Sequence, residues 1–130
     1  MANTNIPEEI YSKAKSWLQP VFDKGTREKV ENLINNNPEE LIEAFYRELE
    51  FGTGGLRGIM GVGTNRMNIY TVAKATQGLS NYIKKMFADL PELRAAIAFD
   101  SRNNSMKFAE TAAKVLSANG IRVYLFDSLR

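Results

Sequence analysis

Apolar positions recur at spacings of three and four along the first fifty residues. Ile10, Tyr11, Ala14, Trp17 and Leu18 share one face of a helix expected over 7–18. Pro7 suits its first position, Glu8 and Glu9 suit the positive end of its dipole, and Pro20 stops it. Val30, Leu33 and Ile34 form the stripe of a second helix over about 26–36. Asn37-Pro38-Glu39-Glu40 then reads as an N-cap, an N1 proline and a carboxylate placed to reach back to the cap. Leu41, Ile42, Phe45, Tyr46 and Leu49 give the buried face of the third helix.

The pattern changes at Phe51. Six of the nine glycines fall between Gly52 and Gly63, so a turn-rich segment divides the chain. Residues 56–60 are expected to form a short strand leaving it. Asn68 is expected to cap a long helix over about 69–88, with Ile69, Val72, Ala75, Leu79, Ile83 and Phe87 inward. The run from Ala95 to Phe99 lacks alternation, which predicts a strand buried on both faces. Ser105 heads a helix over about 106–118, Asn119-Gly120 ends it with a left-handed residue, and residues 121–126 form the next strand. Helix, strand, helix, strand at this spacing is the parallel α/β pattern. The expected organisation is a helical extension over 1–50 and an α/β region over 51–130.

Composition sets limits on chemistry. The 130 residues contain neither Cys nor His. A disulfide framework, a Cys-containing zinc site, a Cys nucleophile, a Ser-His-Asp triad and any histidine acid–base step are therefore excluded within this chain. No metal cluster can be drawn from its four scattered aspartates. The amino terminus lacks a basic segment followed by an apolar run, so it does not read as a signal peptide. The longest apolar run falls far short of the about 20 residues that span a bilayer, so no membrane association is expected and the cytoplasm is the expected compartment.

The net charge of +2 is unevenly divided. Ten acids and six bases over 1–50 give −4, whereas five acids and eleven bases over 51–130 give +6. Nucleic acid is not the expected partner, because Lys84-Lys85 is the only basic doublet and no aromatic-basic ladder accompanies it. A small phosphorylated ligand needs only a few arginines and backbone amides.

The segment Phe51-Gly52-Thr53-Gly54-Gly55-Leu56-Arg57-Gly58 fits that requirement. Glycines allow backbone N–H groups to converge on an anion, and Arg57 adds a planar, permanently charged fork. The dinucleotide fingerprint started at Gly52 meets Arg57 where its third glycine belongs. The nucleotide P-loop started at Gly58 reaches Gly63 but continues Thr64-Asn65 without the phosphate-binding lysine. Both nucleotide readings fail. Ligands of open parallel sheets bind beyond the carboxyl ends of the strands. Asp100 to Ser105 and Asp127 to Arg130 follow the two predicted strands, which makes Arg102 a further candidate. Asp100, Ser105 and Asp127 also suit plain turn and cap roles, and Arg66 is undecided between a surface and a site position.

Four segments in order resemble the start of an α-D-phosphohexomutase: Phe51 to Gly58, Gly63-Thr-Asn-Arg-Met-Asn-Ile-Tyr-Thr-Val72, Ala75-Thr-Gln-Gly-Leu79 and Phe99-Asp-Ser-Arg-Asn103. The resemblance is to the phosphoglucomutase/phosphomannomutase branch with a helical N-terminal extension, which includes phosphopentomutase-like members. It implies a partial three-layer α/β/α domain 1 with a mainly parallel, mixed sheet. It implies phosphoryl transfer between C1 and C6 of a hexose, or C5 of a pentose, through a phosphoserine and a sugar bisphosphate. Mg²⁺ and a glucose 1,6-bisphosphate-type activator are implied for the parent enzyme. Arg57 inherits the place beside the phosphoserine, Thr53, Gly54 and Gly55 inherit the pocket lining, and Arg102 inherits a phosphate-side or loop-orienting role. Many relatives have Ser where Gly54 stands, which removes one hydroxyl contact.

The family's serine loop, magnesium loop, sugar-specificity loop and C-terminal phosphate-binding domain have no counterpart in these residues. The expectation is an N-terminal fragment that is inactive alone, completed by the remaining domains of a parent chain. An open sheet edge in such a piece is expected to favour self-association. The alternative is a stand-alone phosphate- or phosphosugar-binding module without catalysis.

Overall fold

The first helix, α1 (Glu8–Ser16), starts after Pro7 and ends where Trp17 turns inward. It stops two residues short of the expected end, and the Trp17 and Leu18 amides still bond to the Ala14 and Lys15 carbonyls in a tightened last turn. The computed structural model describes residues 6–49, 51–52, 55–56, 58–98 and 105–126. Helix α2 (Lys24–Asn36) begins two residues earlier than the apolar stripe predicts, because Asp23 caps it by accepting from the Thr26 amide at 2.9 Å. Helix α3 (Pro38–Phe45) is capped by Asn37, whose Oδ1 accepts from the Glu40 amide at 3.3 Å.

The expected reach-back of Glu40 does not occur. The Asn37 amide already donates to the Leu33 carbonyl at 3.0 Å, and the Glu40 carboxylate accepts instead from Arg66.

The chain divides into two units, residues 1–68 and 69–130. The core of the first lies among α1, α2 and α3 and contains Ile10, Ala14, Trp17, Val30, Leu41, Ala44 and Phe45. Trp17 stacks on Phe22 at 4.5 Å between ring centroids and meets Phe45 edge-on at 5.5 Å. Burial of a large apolar side chain is worth about 1.5–3 kcal/mol, and Trp17 and Phe45 are both buried, which makes Trp17 a core residue of the helical unit. Two short strands follow, β1 (Phe51–Gly52) and β2 (Gly55–Leu56), paired antiparallel. The strand expected over 56–60 is shorter than predicted. Beyond β2, Met60 makes only an isolated parallel bridge to Met67.

In the second unit, α4 (Ile69–Met86) packs against α5 (Ser105–Ala118), and α5 packs on a parallel pair, β3 (Arg94–Ala98) and β4 (Arg122–Phe126). The register pairs Arg94 with Arg122 and Ala98 with Phe126. This is the predicted helix–strand–helix–strand order with a parallel sheet. The C-terminus of α5 carries a Schellman arrangement. The Ile121 amide bonds to the Leu116 carbonyl at 3.1 Å, the Gly120 amide to the Ser117 carbonyl at 3.0 Å, and Gly120 adopts φ +79°. Ile121 and Leu116 are both buried beside it, as that motif favours.

Two expectations about burial are corrected. The stripe buried on α4 is Val72, Thr76 and Ser80, whereas Leu79 and Phe87 are exposed. Thr76 and Ser80 return their hydroxyls to the carbonyls of Val72 and Thr76, at 2.7 and 2.9 Å, so these small polar residues are satisfied within the helix. The strands are not buried on both faces either. Arg94, Ala96, Arg122 and Tyr124 are exposed, while Ala95, Ile97 and Val123 are half-buried; among the described elements, α5 provides the main packing on the β3–β4 pair.

Candidate functional site

The glycine segment is organised as a hairpin. Phe51 pairs with Leu56 and Gly52 with Gly55, so the paired glycines bracket residues 53 and 54. Of the predicted site residues, Gly55 lies at the start of β2, opposite Gly52. Thr53, Gly54, Arg57 and Arg102 lie outside the described residues.

One loop, residues 58–68, continues from this hairpin and packs back on Leu49, which leads into it. The Leu49 amide, before the hairpin, donates to the Thr64 carbonyl at 2.8 Å. Gly58, after it, sits so close to Leu49 that a β-carbon there would lie 2.7 Å from Leu Cδ1. The loop closes on itself where the Met67 amide meets the Ile59 carbonyl at 2.8 Å and the Gly61 amide meets the Met67 carbonyl at 3.2 Å. The Asn68 side chain donates to the carbonyls of Gly61 at 2.8 Å and Gly63 at 3.1 Å.

The same loop is fastened to α3. Gly63 has φ +120° and lies against the backbone of Ala44, so a β-carbon would collide with the Ala44 carbonyl oxygen. The Asn65 amide donates to the Ala44 carbonyl at 2.9 Å and its side chain to the Glu43 carbonyl at 3.1 Å. Thr64 Oγ1 donates to the Arg47 carbonyl at 2.7 Å. Arg66 is only 7 % exposed. Its Nη2 meets Glu40 Oε2 at 3.0 Å, and its Nη1 donates to the carbonyls of Asn65 at 3.1 Å and Glu43 at 3.4 Å. A guanidinium buried to this degree is held by its fork of donors. Arg66 thus occupies a buried position that joins the loop to α3.

The second unit presents the carboxyl ends of β3 and β4 at one sheet edge, with α5 starting at Ser105. Asp100 to Asn104 and Asp127 to Arg130 lie outside the described residues. At the opposite ends of the strands, Glu92 binds two arginines, Arg94 at 2.8 Å and Arg122 at 3.2 Å. The hydrogen bond from Arg94, with the charges of Arg94 and Arg122, holds the Glu92 carboxyl below the usual range, and the hydrogen bond to Glu92 with its negative charge holds the Arg94 guanidinium above its own. The positive excess over 51–130 is therefore partly compensated by structure: Arg66 pairs with Glu40, and Arg94 and Arg122 pair with Glu92.

A Mg²⁺ ion needs converging oxygen ligands. Among the described residues no three Asp or Glu side chains cluster, so these residues do not form such a site.

The family model described as phosphoglucomutase/phosphomannomutase, alpha/beta/alpha domain I, matches residues 48–130. That match begins just before the glycine hairpin and runs through both parallel strands.

The chain belongs to the phosphoglucomutase/phosphomannomutase family.

Relatives of this family member agree. It is 41 % identical over 120 residues to the phosphopentomutase of Homo sapiens, a match covering 87 % of this chain and 20 % of that protein. It is 35 % identical over 118 residues to the glucose 1,6-bisphosphate synthase of Mus musculus, covering 85 % of this chain and 19 % of the relative. It is 40 % identical over 85 residues to the phosphoglucomutase of Staphylococcus haemolyticus, covering 65 % and 15 %. The chain spans about a fifth of the length of the first two relatives. No solved structure gives a significant match. Among the described residues no helix is long and apolar enough to cross a membrane.

Proposed function

We propose that residues 1–130 are the first part of a cytoplasmic phosphosugar mutase, with a helical extension over 1–50 and the opening of domain 1 over 51–130. The observation that carries this reading is the domain I match over 48–130, which includes the whole glycine hairpin. The reaction is the transfer of a phosphoryl group between C1 and C6 of a hexose phosphate, or C5 of a pentose phosphate. It runs through a phosphoserine supplied by another part of the polypeptide and a sugar bisphosphate of the glucose 1,6-bisphosphate type.

In this reading Arg57 is the catalytic contribution of the chain. Its guanidinium stabilises negative charge on the phosphoryl oxygens as the group transfers, where positioning and charge compensation dominate the barrier. Thr53, Gly54 and Gly55 line the pocket with a hydroxyl and close backbone amides. Arg102 holds phosphate oxygens or orients the serine loop. Bound Mg²⁺ would supply further charge compensation, with ligands from outside these residues. The fastening of the 58–68 loop to α3 and to Leu49 supports the assignment, because an arginine serving a transferring group needs a held backbone beside it.

The decisive experiment is an assay of the complete reading frame and of residues 1–130 alone, with glucose 1-phosphate and a pentose 1-phosphate as substrates. Turnover by the complete polypeptide and none by the 130 residues is the expected result. Phosphosugar binding without turnover by the complete polypeptide would replace this reading with that of a binding module.

A further inference from the structure

The loop over 58–68 contacts Leu49 at the entry to the hairpin on one side and α3 on the other, and a single buried side chain ties loop and helix together. We propose that Arg66 and Glu40 are positioning residues through which the helical extension sets the geometry of the glycine hairpin. The proposal rests on the mutase reading for its functional meaning, although the mechanical part stands on the contacts alone.

Three observations carry it. First, Arg66 links elements far apart in sequence. Its one guanidinium spans the Glu40 carboxylate and the Glu43 carbonyl of α3 and the Asn65 carbonyl of the loop. A fork of donors can do this; a lysine ammonium presents a single point of charge. Second, the loop admits no slack on the α3 side. Gly63 lies directly on Ala44, and the Asn65 amide and side chain bond to successive α3 carbonyls, those of Ala44 and Glu43. Third, the loop continues directly from the far end of the hairpin and grips the residue that enters it, through the Leu49–Thr64 bond and the Gly58–Leu49 contact. A tilt of α3 would therefore be passed to the base of the hairpin. Arg57, one residue before Gly58, would move with it.

Glu40 and Arg66 are not themselves placed at the transferring group. Their role is to fix where the hairpin points, so their loss should lower turnover more than substrate affinity. The test uses the complete reading frame with Arg66→Lys, with Glu40→Gln on the half-exposed side of the pair, and with each combined with Arg57→Ala. Thermal unfolding confirms that each variant is folded. Each latch variant is expected to lower kcat about fivefold or more with KM changed less than twofold. The loss is expected to shrink when Arg57 is already Ala, because both changes then act through the same contact. An unchanged kcat in folded variants, or a loss of equal size in both backgrounds, would overturn the positioning role.

Amide exchange gives a readout independent of turnover. Gly52 and Gly55 are expected to lose protection in Arg66→Lys, and unchanged protection would overturn the mechanical link. If the complete wild-type polypeptide turns over no sugar phosphate, the mutase reading fails, and the exchange measurement still decides the latch.

Discussion

Asn119 and Gln77 hold each other by two hydrogen bonds at once. Asn119 Nδ2 donates to Gln77 Oε1 at 2.9 Å, and Gln77 Nε2 donates back to Asn119 Oδ1 at 3.1 Å. The Lys84 ammonium also donates to Asn119 Oδ1 at 2.9 Å, and Asn119 Nδ2 donates to the Val115 carbonyl at 2.8 Å. One side chain thus finishes α5 and fastens it to α4. Replacing it leaves Gln77 with fewer partners in a partly solvated place, where each net hydrogen bond is worth about 0.5–1.5 kcal/mol. Asn119→Ala is expected to destabilise the second unit by about 1 kcal/mol. Urea denaturation measures this, and a cycle with Gln77→Ala should show coupling between the two positions.

Gly78 is an exposed glycine inside α4, and a β-carbon added there would meet nothing within 4 Å. Alanine restricts the unfolded chain and costs nothing in the folded one. Gly78→Ala is therefore expected to stabilise the protein by about 0.5–1 kcal/mol. A rise in the denaturation midpoint with unchanged slope would confirm it, and a fall would show that the site makes a contact only glycine permits.

Glu92 makes stability depend on pH in a definite direction. Its folded-state pKa lies below the usual carboxylate range, chiefly through the hydrogen bond from Arg94. Its contribution is full above the ordinary glutamate range and is lost as the pH falls through the depressed value. The pair is exposed, so the effect is modest and weakened by salt. The gap in Tm between the wild-type protein and Glu92→Gln is expected at neutral pH and low salt, and should close on acidification. A gap that widens in acid would reverse the sign of the assignment.

In the complete polypeptide, Arg57→Ala is expected to lower turnover about tenfold or more. A charge-assisted hydrogen bond of about 1.5–3 kcal/mol to the transferring group would be lost, and about 1.4 kcal/mol is a factor of ten. Steady-state kinetics check this, and near-normal turnover would remove Arg57 from the site.

Much of the fold is legible locally. Asn37 before Pro38 stops one helix and starts another, because a side-chain oxygen and a fixed φ act within three residues. Asn119-Gly120 ends α5, because only glycine enters the left-handed region freely. The alternation of helical and strand patterns after Asn68 is enough to predict a parallel pair. The glycines between Gly52 and Gly63 mark the segment where backbone geometry, more than side chains, carries the design.

Other features depend on partners that the local pattern does not reveal. Apolar spacing alone favours Leu79 and Phe87 as inward positions on α4, yet the stripe that is buried is Val72, Thr76 and Ser80. Glu40 stands where a capping carboxylate belongs, but the Asn37 amide is taken by Leu33, and Arg66 approaches from 26 positions along the chain. Arg66 itself reads from sequence as either a surface or a site residue, and only its burial against α3 decides its place. Caps, turns and strand patterns are settled by atoms within a few residues of each other, so the sequence by itself determines them. Which face is buried and which charges meet depends on the approach of distant segments, and only the tertiary structure decides that.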